Sequence, residues 1–186
     1  MLDWILFVAA SAGGGFVWWR LASRSSGRSA LYRFLAFELL LGLAFLTPGR
    51  WFVNPLSTPQ VISWILLAAG LALALLALFR RPAGQSRDDA ADRDPEEPPT
   101  LPARQGIYRF VRHPFYGAAL FLGWGLFAKG LVPVDNTSFL CAFLLTGVSL
   151  FLVSAARADE TADYLTFGAA YVVYVRSSKM LIPLIL

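Results

Sequence analysis

The sequence predicts an all-α integral membrane protein: a helical bundle of about five transmembrane helices, followed by a C-terminal cytoplasmic or interfacial helix. Three observations predict it. Of 186 residues, 57% are hydrophobic and only 15% are charged, with the charges clustered rather than spread; mean hydropathy is +0.58. Soluble domains do not have that composition. Five apolar stretches reach the roughly 20 residues that a helix needs to cross a bilayer. No series of short alternating segments, the mark of a membrane barrel, is visible. Lipid offers backbone groups no partner, so spans of this length must be helical. The chain, 1–186, reads as a single membrane domain.

The first stretch lies near 2–19. Its leading end carries Asp3 and no Lys or Arg, and Trp18-Trp19-Arg20 closes it like an interfacial anchor, so it is not a cleavable signal. Ala9/Gly13 and Ala10/Gly14 sit four apart, a spacing that lets another helix backbone come close. The second stretch, near 31–48, carries Glu38 about two turns in, roughly 10 Å from its end. A carboxylate at that depth is costly. Either an Arg from a neighbouring helix pairs with it, or it contacts substrate or cofactor, which makes Glu38 a substrate candidate. The third stretch, near 60–79, has no polar residue across Leu71–Ala77 and reads as a packing helix.

Between the third and fourth stretches, 81–105 holds six of the twelve acids, all within Asp88–Glu97, beside Pro95, Pro98, Pro99 and Pro102. Nothing there can bury a core. The segment reads as a solvated, mobile cytoplasmic loop, serving as a tether or as a lid. The fourth and fifth stretches lie near 114–132 and 138–156. The single cysteine, Cys141, falls in the fifth, so no intrachain disulfide can form and a small buried hydrophobe is expected there.

Charge placement sets an orientation. With the N-terminus outside, Arg20–Ala30, Arg33, Arg80–His113 and everything after Ala156 face the cytoplasm. Those segments hold 14 of the 16 Lys and Arg, leaving only Arg50 and Lys129 outside. A pI near 9.6 is thereby explained as a topology signal, and no nucleic-acid partner is required. Composition rich in Ala, Leu and Arg points to a bacterial inner membrane, with the C-terminus cytoplasmic.

The segment GIYRFVRHPFYG, Gly106 to Gly117, opens the fourth stretch. Pro114 suits the first turn of a helix because it has no N–H to lose and its φ is already helical. His113 is pushed out of the α region by the ring that follows. The first turn leaves several N–H groups unpaired, aimed back at Arg112 and His113. Two readings stay open: Arg112 anchors a membrane helix and His113 caps it, or the helix end and the guanidinium together seat a carboxylate or phosphate.

Beyond the fifth stretch, 157–186 changes character. Glu160, Tyr164, Phe167, Tyr171 and Tyr174 recur at steps of four, three, four and three, which places one carboxylate and four rings on a single helical face. That face either rests at the membrane interface or lies over the mouth of the fourth span and closes a pocket. The apolar tail, Leu181–Leu186, can dip back into the bilayer.

One His and one Cys cannot ligate zinc, so no metal site is expected. No serine stands in a turn context that suggests a hydrolase, and the glycines of the first span lie inside the membrane, where no P-loop could work. What remains suits a mixed-charge ligand: an acid for an amine, an Arg and a helix end for a carboxylate, rings for a base.

GIYRFVRHPFYG followed by an apolar span closely resembles the Arg-His-Pro-x-Tyr signature of the isoprenylcysteine carboxyl methyltransferase-like family, which is related to the phospholipid methyltransferases. A second block resembles the rest of that signature: Asp159-Glu160, Phe167-Gly168, Tyr171, Tyr174 and Ile182-Pro183. Together they cover about Gly106–Pro183, the C-terminal two-fifths. The resemblance implies S-adenosylmethionine as cofactor and a lipophilic or membrane-associated acceptor with a carboxylate, amine or thiol. By position it implies cofactor-binding roles for Arg112, His113, Tyr116 and Glu160, with Tyr171 and Tyr174 in support. Arg112 would take the cofactor carboxylate, Glu160 its amino group, and Tyr116 the adenosine or the methyl donor. Glu160 or His113 would be the base for an acceptor that must lose a proton. Two departures stand out. The usual Glu-Glu pair is Asp159-Glu160, and the basic run after Tyr174 is thinned to Arg176 and Lys179. A non-catalytic scaffold or assembly partner that keeps the architecture is the alternative. A nicotinamide-dependent membrane reductase is a third reading. The methyltransferase reading requires Arg112 and Glu160 to meet around one hollow.

Overall fold

The computed structural model describes residues 7–16, 27–79, 106–131 and 133–182. Among them every regular element is a helix. We number them α1 (Phe7–Phe16), α2 (Gly27–Leu46), α3 (Thr58–Phe79), α4 (Pro114–Gly130), α5 (Asn136–Phe167) and α6 (Ala169–Ser177). The loop expected at 81–105, the ends of the first span and the tail from Pro183 lie outside the described residues.

Three helices, α2, α3 and α5, are long and apolar enough to cross a membrane. α4 has 17 residues, and α1 is described over ten. α2 starts four residues earlier than the sequence suggested and stops at Leu46, because Thr47 turns its hydroxyl back onto the carbonyls of Leu43 and Ala44 just before Pro48. α4 begins at Pro114 as expected.

The largest difference concerns α5. The sequence suggested a span ending near Ala156 and a separate C-terminal helix. Instead one helix of 32 residues runs from a capping box at Asp135 and Ser138 to Gly168. At about 1.5 Å per residue it is roughly 48 Å long, well beyond a hydrocarbon core of about 30 Å. The stretch from Arg157 to Phe167 therefore continues past the apolar part of the helix. Polarity changes there but helix propensity does not, so nothing ends the helix until Gly168, whose φ is +53°. That glycine also divides the aromatic face: Glu160, Tyr164 and Phe167 belong to α5, whereas Tyr171 and Tyr174 belong to α6.

α3 packs along α4 and α2 along α5, and the two pairs join where α4 meets α5 and α2. α3 is the packing helix its composition suggested, and Gly125 of α4 meets it so closely that a Cβ would stand 2.8 Å from Leu67. One apolar cluster (Ala36, Leu120, Val148, Leu152) joins α2, α4 and α5 near the end of the bundle where α4 begins. A second (Leu43, Leu126, Cys141) joins them toward the other end. Cys141 is fully buried and free, in keeping with its expected role as a small core residue. α1 lies against α2, with Phe7 beside Phe45 and Gly14 under the ring of Phe37; Gly13 has open space around it.

Candidate functional site

The start of α4 is strapped by the end of the chain. Residues 110–113 and 178–181 run alongside each other through a single parallel bridge, Val111 to Lys179. The Lys179 amide donates to Phe110 O at 2.8 Å, and the amides of Arg112 and His113 donate to Lys179 O at 2.8 Å and Met180 O at 3.0 Å. The strap passes so close to α4 that a Cβ on Gly117 would fall 2.2 Å from Leu181 O. Leu181 is buried there, and Ile182 reaches the first core cluster.

At this helix end, which the sequence leaves open as a cap or an anion seat, the backbone amides just before the helix are taken up by the chain itself. Pro114 has no donor, Arg112 and His113 spend theirs on the strap, and His113 makes no side-chain cap. The physical reason is general: donors left over at a helix start take whatever acceptor the fold brings nearest.

The guanidinium of Arg112 meets three elements. Its Nε donates to Glu160 Oε1 of α5 at 2.6 Å, across 48 positions of sequence. Its Nη1 donates to Val175 O at 3.2 Å and to Ser178 O, so it also caps the C-terminus of α6. The two side chains of the ion pair are 8% and 14% exposed. His113 Nε2 stands 3.6 Å from the same Glu160 oxygen. That is too long for a hydrogen bond, and this buried nitrogen has no hydrogen-bond partner among the described residues. The His113 ring stacks on Tyr116 at 5.4 Å.

Asp159 serves a second, adjoining network. Tyr116 Oη donates to its Oδ2 at 2.6 Å, and Ser29 Oγ of α2 donates to its Oδ1. Arg33 in turn donates from Nη2 to Ser29 Oγ at 2.7 Å and from Nε to Ser29 O at 3.2 Å. Consecutive residues on a helix point about 100° apart, so the acidic pair divides its work. Glu160 holds the start of α4, and Asp159 joins α4 to α2. Sequence reasoning missed Ser29 and Arg33, although they sit four apart at the start of α2, the spacing that faces side chains together. Arg33 had been read only as an orientation charge.

Of the remaining candidates, Tyr171 and Tyr174 are brought near but turn inward. Tyr171 is 1% exposed and packs against Tyr164 at 4.8 Å and Tyr174 at 5.9 Å. Burial pushes its hydroxyl well above the ordinary phenol range, with the nearby acids adding to it. Tyr174 donates to Tyr108 O at 2.7 Å. Tyr174 thus ties α6 to the segment before α4, and Tyr171 packs among the rings of the aromatic face. Glu38 is not brought in. It faces α1, where Ser11 Oγ donates to its Oε2 at 2.8 Å, and among the described residues neither an arginine nor any other donor reaches its Oε1.

Beside the Asp159 network lies an apolar cavity of about 210 Å³ between α2, α4 and α5. Arg33 and Tyr116 line it, together with Ala36, Phe37, Leu40, Ala119, Val148 and Leu152. Small-molecule sites usually measure about 300–1,000 Å³, so this one is small for a nucleoside.

No family model, no curated protein and no solved structure matches this chain.

Proposed function

We propose that this chain is an integral membrane methyltransferase that uses S-adenosylmethionine on a lipophilic acceptor. It would cross the membrane five times, with its N-terminus outside and the Arg112 end at the inner leaflet of a bacterial cytoplasmic membrane. The observation that carries the proposal is the meeting of Arg112 with Glu160, with His113 and Tyr116 in the same cluster. The four side chains that the sequence resemblance points to lie close together, which supports this reading.

The donor set fits a zwitterionic amino-acid group. Arg112 and Glu160 present a cation and an anion side by side, so a ligand carrying the opposite pair exchanges one ion pair for two. The buried nitrogen of His113, without a partner, is a polar atom that a ligand or water would satisfy. When bound, the cofactor supplies an electrophilic methyl group on sulfur. The protein's part is then mostly alignment, which can contribute roughly 7–11 kcal/mol. Glu160 and Arg112 bind and orient, and Tyr116, fixed by Asp159 and stacked on His113, forms one wall. An amine or thiol acceptor must give up a proton, and Glu160 or His113 is the candidate base.

The decisive test is a titration of the purified protein in detergent with S-adenosylmethionine. Saturable binding is expected, with Arg112→Ala and Glu160→Ala each weakening it at least tenfold, the effect of losing a charge-assisted hydrogen bond. Absence of saturable binding, or binding unaffected by either change, overturns the proposal.

One observation favours the scaffold reading instead. Arg112 is already served by Glu160 and by the carbonyls of Val175 and Ser178, which is what a purely structural staple needs. On that reading the same two variants lose thermal stability, and the wild type binds no cofactor.

A further inference from the structure

The strap across the start of α4 carries an unbalanced charge. Its two segments, 106–113 and 169–182, hold Arg109, Arg112, Arg176 and Lys179 and not one acid. Arg112 is neutralised by Glu160. Arg109, Arg176 and Lys179 are exposed, and among the described residues no carboxylate pairs with any of them. The backbone also gathers them. Lys179 gives its amide to Phe110 O, next to Arg109, and Arg176 lies in the last turn of α6, three residues before Lys179. Apolar side chains stand exposed among these cations, Phe110 before α4 and Val173 on α6, while α6 buries Tyr171 and Tyr174. The 17 residues of α4 span about 25 Å, so the strap, just ahead of Pro114, lies at one edge of a hydrocarbon core of about 30 Å.

We propose that the strap docks on the anionic phospholipid surface of the leaflet beside it, with Arg109, Arg176 and Lys179 on lipid phosphates and Phe110 and Val173 in the interface. Charge complementarity selects the lipid. A zwitterionic headgroup brings its own cation, whereas a net-negative one offers three unpaired cations what the chain does not. The exposed ring and valine suit a surface with an apolar layer beneath its phosphates, which a dissolved anion lacks. Docking has a consequence for the strap itself. Without counter-charge the three cations repel one another across a junction held by a few backbone hydrogen bonds; an anionic surface cancels that repulsion. The same segment supplies the Val175 and Ser178 carbonyls to Arg112, so the charge of the membrane reaches the Arg112–Glu160 pair. The docking holds whether or not that pair binds S-adenosylmethionine.

The experiment places the full chain in nanodiscs of phosphatidylcholine, with and without phosphatidylglycerol, and follows amide hydrogen exchange by mass spectrometry. In the anionic discs the strap amides, 110–113 and 178–181, should exchange about fivefold or more slowly, the effect of at least one cation at a charged surface. High salt should erase the difference. The triple change Arg109→Gln, Arg176→Gln and Lys179→Gln should erase it too, while Arg109→Lys, Arg176→Lys and Lys179→Arg together should keep it. A control of equal charge, Arg20→Gln, Arg24→Gln and Arg28→Gln, should leave it intact. Unchanged exchange within α3 shows that each variant is folded. Equal strap protection in both kinds of disc, as an intramolecular partner such as the acids of 88–97 would give, overturns the inference. So does an anionic effect that survives the strap change or disappears in the control. Inorganic phosphate that protects the strap in neutral discs as well as phosphatidylglycerol does would show a free-anion site and overturn it equally.

Discussion

The two ends of the bundle solve the problem of polar groups in an apolar body differently. At the end where α4 finishes, Lys129 is 0% exposed and, among the described residues, has no carboxylate beside it. Its ammonium donates to Gln60 Oε1 at 2.7 Å and Trp51 O at 3.3 Å, and lies 3.6 Å from the centroid of the Trp64 ring. Gln60 passes its own amide to Arg50 O. Arg50 then bonds Gly130 O, Pro133 O and Asp135. Every side chain in that set has a partner within the chain. At the other end, Arg112, Glu160, Asp159 and Tyr116 are also paired, yet His113 Nε2 is left with none and a cavity opens beside Arg33 and Tyr116. A network that only holds the fold together can close on itself. The network proposed to receive a ligand keeps an atom and a space in reserve.

Breaking each end tests that contrast. The largest effect is expected at Arg112→Ala, which strands a poorly exposed carboxylate and should cost about 3–5 kcal/mol in chemical denaturation. The double change Arg112→Met with Glu160→Met should recover most of that stability, since replacing both partners removes the stranded charge. It should not recover cofactor binding. If it does, the pair is structural and the contrast between the two ends fails.

Next comes Lys129→Met, which keeps most of the volume but leaves Gln60 and the Trp51 carbonyl without their donor. A loss of about 1–3 kcal/mol is expected, followed through tryptophan fluorescence on heating. Ligand titrations at the far end should be unaffected. Gly117→Ala should cost a similar or smaller amount, about 1–3 kcal/mol, because its Cβ would collide with Leu181 O and lift the strap. Here, unlike at Lys129, the site is expected to lose ligand binding as well.

The smallest effect concerns acid. Hydrogen bonding from Arg50 holds the Asp135 carboxyl below its ordinary range. A depressed folded-state value means that the contribution is present at neutral pH and fades as pH falls below about 4. The thermal midpoint of the wild type should drop in that window, and Asp135→Asn should flatten the drop. An equal drop in both would place the acid sensitivity elsewhere.

Much of the fold was legible because periodicity and length act locally. The helix start at Pro114, the packing role of α3 and the burial of Cys141 follow from ring geometry, apolar runs and size. The end of the last long helix was not legible, because the shift from apolar to charged residues at Arg157 marks a change of solvent and not of backbone. Gly168 was the better stop signal. The surroundings of the helix start at Pro114 were not legible for a related reason: nothing local shows that Lys179 and Met180 return to accept from the amides of Arg112 and His113.

Residue types and spacings alone settled that this chain is helical, apolar and built from membrane-length elements, because backbone hydrogen bonding and hydrophobic burial depend on near neighbours along the chain. They also singled out Arg112 and Glu160 by their chemistry. Only packing decided that these two touch, that Asp159 works with Tyr116, Ser29 and Arg33 on a different side, and that Glu38 turns toward α1. Which side chains share a hollow depends on how whole helices are rotated and placed, and that is set by contacts dozens of positions apart.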